Sequence, residues 1–383
     1  MTQHLYTPGP VDVPFCTRQA GAGPMISHRS DEWSNLLEEV NGRLGRLLDV
    51  KDPVVLLPGS GTGALEALAA NLLAPGGEVI SFSCGTFGDR FRDIASRRGA
   101  KVVAFDAPRG EGLKKEHVRE ALKKYPGSDA LLFTHNETST GVANPLEDLL
   151  SEVPSEGPLV LVDAVSSLGA MPCYPSRWRI DGLASCSQKG LLAPPGLAVV
   201  YLSERGWERT KEGACPSYFF DLALHRRFLN KSRPQNPFTP PVSVFYGLAE
   251  SLRFLEGFGW ESWFSRTRRK TRSFEAACEG MGFGLFVREA GFRSPVMTAL
   301  EVPAGKERPV KRALEEMGVT VAEGQGREGG TLRIAHYNPG GWPEICLLAG
   351  GIFAAARKCG IDAGDGFLEK ALKTWNGEGK GSC

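Results

Sequence analysis

Leu159-Val160-Leu161-Val162-Asp163-Ala164-Val165-Ser166-Ser167 is the stretch that decides the fold. Four aliphatic residues run without a polar one among them, the pattern of a strand buried on both faces. A strand with one wet face would alternate apolar and polar residues. Outward from it, short apolar strands and helix-patterned segments take turns. Toward the N-terminus the spacing predicts strands at 130–134, 101–105, 78–83 and 54–57, with helices at 145–150, 114–124, 87–98 and 64–73 between them. On the other side lie a small-residue strand or loop at 181–187 and the apolar run 197–202. Such alternation implies an α/β fold with a mostly parallel sheet covered on both faces.

The 383 residues are enough for two domains and a large core. Before the sheet, 31–48 reads as a helix whose Leu36, Leu37, Val40, Leu44, Leu47 and Leu48 form an apolar stripe. After Pro240-Pro241 a helix is expected over 242–258. Then come a basic run at 265–272, strands at 295–302 and 331–335, and helices at 310–317 and 344–359, which together make a smaller α+β unit. The expected division is an extended arm (1–20), a large domain (21–258), a small domain (259–375) and a Gly-rich flexible tail (376–383).

A formal net charge of +1 gives no bulk attraction to nucleic acid or an anionic membrane. Nine scattered cysteines without CxxC or Cys/His spacing suggest neither a disulfide framework nor a metal site, and point to a reduced, cytoplasmic chain. No apolar run approaches the roughly 20 residues of a membrane helix.

In open α/β sheets, ligands bind beyond the carboxyl ends of the strands. Those ends carry Ser60-Gly61-Thr62-Gly63, Gly85-Thr86-Phe87-Gly88-Asp89-Arg90, His135-Asn136-Glu137-Thr138, Asp163 with Val165, and Ser187-Gln188-Lys189-Gly190. Lys189 is the only lysine between Lys124 and Lys211, and it sits among small and apolar residues that would depress its pKa and leave it nucleophilic. The Gly59–Gly63 turn before a helix can hold an anion, although it is no Walker loop because no Gly-Lys-Ser/Thr follows. A dinucleotide reading is weaker, since the next strand ends in Ser83-Cys84 where an acid would hold a ribose. Taken singly, a turn lysine, a turn-capping acid and a core phenylalanine are ordinary. Pyridoxal phosphate unites them: it needs an imine-forming lysine (Lys189), an acid at its ring nitrogen (Asp163), a phosphate site (Ser60, Gly61, Thr62), a stacking ring (Phe87) and a donor to its phenolic oxygen (Thr138).

On these segments, with Thr7-Pro8-Gly9-Pro10-Val11, Thr239-Pro240-Pro241 and Leu332-Arg333-Ile334, the chain resembles the class V aminotransferases of the type I pyridoxal-phosphate fold. It is most similar to the alanine–glyoxylate and serine–pyruvate group. The resemblance implies a homodimer with shared active sites that moves an amino group from alanine, serine or aspartate to glyoxylate or pyruvate. It implies that Lys189 carries the Schiff base and moves the proton, Asp163 holds the ring nitrogen's proton, and Val165 and Phe87 take the two ring faces. Gln188 joins Ser60, Gly61 and Thr62 on the phosphate, and Thr239 reaches it from the neighbouring subunit. Arg333 pairs with the substrate α-carboxylate, and Gly9 closes over it. Asn236 stands where many members carry a phosphate-side tyrosine, and would favour a more polar donor such as a ureido or amide compound. His28-Arg29 also resembles a family segment.

Desulfurase chemistry on the same fold usually has a histidine before the lysine; here Gln188 precedes it. Cys84 and Cys186 read as small apolar packing residues. The run Arg266, Arg268, Arg269, Lys270, Arg272 raises a nucleic-acid-binding module, but it has no aromatic platform and is expected to be a solvated helix face.

Overall fold

The computed structural model describes residues 4–213, 215–325 and 330–377. Its central sheet has strands β1 (Val55–Gly59), β2 (Glu78–Ser83), β3 (Lys101–Asp106), β4 (Ala130–Thr134), β5 (Leu159–Asp163), β6 (Gly182–Cys186) and β7 (Gly196–Leu202). Their spatial order is β1-β7-β6-β5-β4-β2-β3. β7 runs antiparallel to both neighbours, while the remaining adjacent pairs are parallel. Every residue of β4, β5 and β6 is buried, as the apolar runs require. The edge strand β3 leaves Lys101, Ala104 and Asp106 exposed, and charge on an edge discourages pairing with another sheet.

Six helices matter for the site: α1 (Asp31–Leu48), α2 (Gly61–Leu72), α3 (Thr86–Arg97), α4 (Val242–Phe258), α5 (Trp260–Gly280) and α6 (Trp342–Lys358). The α1 stripe is buried as expected, each leucine stabilising by roughly 1.5–3 kcal/mol. Ser30 starts that helix by accepting from the Trp33 N–H at 3.3 Å. α2 packs on β6 and β7 with Ala64, Leu65, Ala67, Leu68 and Ala69 buried. Its approach to β6 depends on Gly182, where a Cβ would stand 2.9 Å from Leu161 and 3.0 Å from Leu72. Gly182→Ala would force that layer apart.

The buried side chains form two clusters. The first surrounds the seven-stranded sheet, and the second surrounds a three-stranded antiparallel sheet of β8 (Met297–Glu301), β10 (Thr331–Ala335) and β9 (Ala322–Glu323), in that order, packed with α6. α5 serves both, with Trp263 and Phe264 in the first and Phe274, Ala277 and Cys278 in the second. The leading segment differs from a plain extended arm. His4–Leu5 pairs in parallel with Val319–Thr320, Tyr6 is buried in the second cluster, and Phe15–Ala20 forms a helix against α4. Asn376 and Gly377, the first residues of the expected tail, close the final helix Phe367–Gly377, and 378–383 lie outside the described residues.

The basic run needs correction. Only Arg268 is exposed. Lys270 is 2% exposed, donating to the Asn338 carbonyl with Glu344 Oε2 at 3.6 Å. Arg269 stacks 4.0 Å from the Trp375 ring centroid, Arg266 donates to the Pro339 carbonyl, and Arg272 holds Glu275. The helix is clamped between segments distant in sequence, which composition and spacing alone do not disclose.

Candidate active site

The parallel strands deliver their C-terminal ends to one rim, and reversed β7 brings its first residues to the same place. A cavity of about 280 Å³ opens there, bounded by Gly9, Ser60, Gly61, Thr62 and Phe87 on one hand and Asp163, Val165, Gln188 and Lys189 on the other. Nine residues singled out from sequence thus meet in one place.

Ser60 caps α2, its Oγ accepting from the Gly63 N–H at 3.3 Å, so the helix's first turn faces the cavity with its positive end. Gly61 has no room for a side chain: a Cβ would stand 2.6 Å from Val165 Cγ2. Gly9 is equally constrained. Its φ of +136° lies in the region that favours glycine, and a Cβ would fall 2.5 Å from Lys189 Cε. The arm therefore passes directly over the lysine, whose Nζ donates to the Pro8 carbonyl.

Burial is the largest influence on Lys189 and pulls its pKa down. Asp163 acts against that, while the positive charges of Arg333 and Arg90 reinforce it. Burial pushes the Asp163 carboxyl up to about 7, against the Val165 N–H that donates to its Oδ1 at 2.9 Å. A carboxyl poised this way gains most from a cationic partner inside the cavity.

Thr138 and Arg333 stand beside the cavity rather than along its lining. Thr138 is buried at 1% exposure, and its carbonyl accepts from Arg333 Nη1. Arg333, 8% exposed, is further fixed by Nε on the Glu323 carbonyl at 2.8 Å and Nη1 on Gln325 Oε1 at 3.2 Å. Thr239 is exposed and does not line this cavity. Asn236 also lies off this lining. Its Oδ1 accepts from Trp33 Nε1 at 3.2 Å and its amide donates to the Leu56 carbonyl at 3.4 Å. At 4% exposure Asn236 ties α1 to β1. Arg29 supports the same turn through Gln235 Oε1 and the carbonyls of Asn236 and Pro237.

Sequence reasoning missed Pro10, Leu65, Arg90 and Pro195, which complete the lining. Arg90 was within reach, a cation one helical turn beyond Phe87; its guanidinium lies 4.8 Å from that ring and donates to Thr62 Oγ1 at 3.3 Å. Cys84 and Cys186 are buried and their thiols are pushed up by burial, Cys186 to about 11, consistent with inert packing residues.

The residues present fit pyridoxal phosphate. A side-chain-free cradle at Gly61 meets a helix N-terminus, the Gln188 Oε1 is buried without a hydrogen-bond partner, and a buried acid and a half-buried amine border the same space. Residues 14–335 match the family model described as Aminotransferase class-V. An uncharacterized aminotransferase of Methanocaldococcus jannaschii is 32% identical, with 96% of each chain covered. The L-aspartate–glyoxylate aminotransferase of Paracoccus denitrificans is also 32% identical, over 90% of this chain and 88% of the relative. The crystal structure of pyridoxamine–pyruvate aminotransferase from Mesorhizobium loti superposes with a TM-score of 0.93 at 25% identity, covering 99% of this chain and 98% of that one. The chain belongs to the class V aminotransferases and is a pyridoxal-phosphate-dependent transaminase.

Proposed function

We propose that the amino donor is a small amino acid, alanine, serine or aspartate, and the acceptor glyoxylate or pyruvate. The observation that carries this reading is the pairing of a cavity of about 280 Å³ roofed by Gly9 with a buried guanidinium, Arg333, close enough for its charge to act on Lys189. Small acids fit such a space, and a planar guanidinium suits a carboxylate. The aspartate–glyoxylate activity in the name of the Paracoccus relative agrees with it.

Pyridoxal phosphate, when bound, supplies an electron sink for charge leaving the substrate Cα. Lys189 removes and returns the proton at that carbon, a role suited to an amine whose pKa burial has lowered. Asp163 holds a proton at the ring nitrogen. Phe87 and Val165 bracket the ring, and Thr138 donates to the phenolic oxygen. Ser60, Gly61, Thr62 and Gln188 hold the phosphate. Arg333 orients the α-carboxylate, and Gly9 excludes water by closing over the lysine.

Thr239 serves the phosphate of the neighbouring subunit, so the working unit is a homodimer with shared sites. Its exposure and its absence from the lining in its own chain support that role. The exposed aromatics Tyr218 and Phe219 lie in the same region of the chain and favour a partner surface there. Among the described residues no helix is long and apolar enough to cross a membrane and every cysteine is free, which favours a cytoplasmic enzyme. The second cluster, drawn mainly from residues 274–371, supports a small domain within 259–375 beside a large one at 21–258, with the start of α5 packed into the large domain's core.

Half-reaction spectroscopy tests the substrate reading. The purified protein should absorb near ~420 nm, and the band should bleach with one or more of the three donors and return with glyoxylate or pyruvate. Bleaching only by bulky or ureido donors would overturn it.

A further inference from the structure

α3 carries the stacking ring, yet it cannot cap its own first turn. The residue before it is Gly85, which has no side chain to accept the leading N–H groups. Those groups are bonded from a segment some fifty residues on. The N–H of Phe87 and that of Gly88 both donate to Glu137 Oε2, at 2.9 and 3.0 Å. The Thr86 N–H donates to Ser139 Oγ at 3.0 Å. Glu137 Oε1 in turn accepts from the Ser139 N–H at 3.0 Å and from its hydroxyl at 2.7 Å.

Glu137 is 0% exposed. Burial pushes its carboxyl up, and the Ser139 hydroxyl with the three N–H donors pulls it down. The net direction is upward, with burial leading; both oxygens nevertheless act as acceptors in all four contacts, the bonding pattern a carboxylate makes. Glycine at 85 is part of the same arrangement, because a Cβ there would stand 2.5 Å from both Glu137 Cγ and Ser139 Oγ. The cap must therefore come from across the site. The bonding is also tied to the rest of the machinery, since the next residue, Thr138, gives its carbonyl to Arg333.

We propose that Glu137 is a positioning residue that fixes the plane of Phe87 against the cofactor ring by capping the first turn of α3. This rests on reading the cavity as the pyridoxal-phosphate site. Glu137 itself does not line the cavity; it acts through the main chain of Phe87 and Gly88. A side chain that stacks on a ring contributes to its binding only when its own plane is held, so loss of the cap lowers cofactor affinity and loosens the ring's environment.

The experiment titrates cofactor-stripped protein with pyridoxal phosphate, reading absorbance for affinity and visible circular dichroism for the asymmetry of the ring's surroundings. Glu137→Ala should weaken binding by ~10-fold, a hydrogen-bond-sized change at a charged group, and diminish the dichroism. Glu137→Gln, which can keep one oxygen on Phe87 and Gly88 but opposes Ser139 with an amide, should fall between. Gly85→Ala keeps the carboxylate yet crowds it, and should act in the same direction. In a Phe87→Leu background, Glu137→Ala should add less than ~2-fold, because the ring it positions is gone. Wild-type affinity and dichroism in Glu137→Ala, or an effect fully additive to that of Phe87→Leu, would overturn the proposal. If Glu137→Ala does not fold, Glu137→Gln and Gly85→Ala decide by the same two criteria. A wild-type protein that takes up no pyridoxal phosphate overturns both readings; normal uptake with unmoved variants overturns only this one.

Discussion

Arg333 in β10 donates from Nη1 to the main-chain carbonyl of Thr138 at 3.3 Å, joining the small sheet to the loop that follows β4. The guanidinium is thus oriented by backbone on both sides, by Thr138 and by the Glu323 carbonyl. An anchor held this way loses little entropy when it meets a carboxylate. Arg333→Ala should raise KM for both the amino acid and the oxo acid by an amount equivalent to about 2–5 kcal/mol, leaving the cofactor's absorbance in place. Arg333→Lys should recover only part, because an ammonium cannot form the two parallel bonds. Steady-state kinetics with each substrate varied in turn would check this; unchanged KM values would remove Arg333 from the site.

Gly9 and Lys189 make a sharper demand. A methyl at position 9 would fall 2.5 Å from Lys189 Cε and 2.6 Å from its Cδ, on a backbone φ of +136°. Gly9→Ala should therefore lower kcat by pushing either the arm or the lysine aside, at a small cost in thermal stability. Lys189→Ala should abolish transamination while weak cofactor binding persists without the band near ~420 nm. Absorbance and single-turnover rates of the two variants would separate displacement of the lysine from its loss.

Asp163 supplies a pH dependence whose sign is opposite to that of a salt-bridged carboxylate. Its folded pKa of about 7 lies above the ordinary 3.8, so between those values the folded, cofactor-free protein holds a proton that the unfolded chain does not. Stability contributed by this group therefore falls as pH rises through that window and stays low above it. Cofactor-free Asp163→Asn should melt above cofactor-free wild type at pH 8, and the gap should narrow toward pH 5. Its transamination rate should drop, because an amide cannot hold the ring nitrogen's proton. Melting curves across that range would decide; a gap that widens toward low pH would contradict the burial argument.

What could be read from the sequence follows from range. The strands β4 and β5 are continuous apolar runs because both faces are covered, so the sheet and its rim were legible, and with them Lys189, Asp163, Phe87 and the Ser60 turn. The bonding of Asn236 was not legible, because its partners, the Trp33 indole and the Leu56 carbonyl, lie some two hundred residues away. Glu137 sat inside a quoted segment, yet its role depends on Gly85 being unable to cap α3, a relation across two loops. Local pattern reports which face is apolar; it does not report which distant carbonyl or N–H a polar group will meet.

Lys270 shows the same limit and gives a stability test. It sits at one end of a buried pair with Glu344, whose side chain is 12% exposed, and also donates to the Asn338 carbonyl. Burial pulls its pKa down to about 8 from 10.5, so the unfolded chain binds the extra proton between those values. This group's penalty is present below pH 8 and is relieved as pH rises toward 10.5, which gives a local gain in stability with pH. Removing the cation alone leaves Glu344 buried without its partner. Lys270→Ala should cost about 3–5 kcal/mol. Lys270→Met combined with Glu344→Gln should recover most of it, since neither charge then needs a partner. Arg268→Gln, one turn's edge away and exposed, should stay within about 0.5 kcal/mol of wild type. Denaturant melts of the three variants would check this, and equal losses for Lys270→Ala and Arg268→Gln would mean that α5 is a solvated face after all.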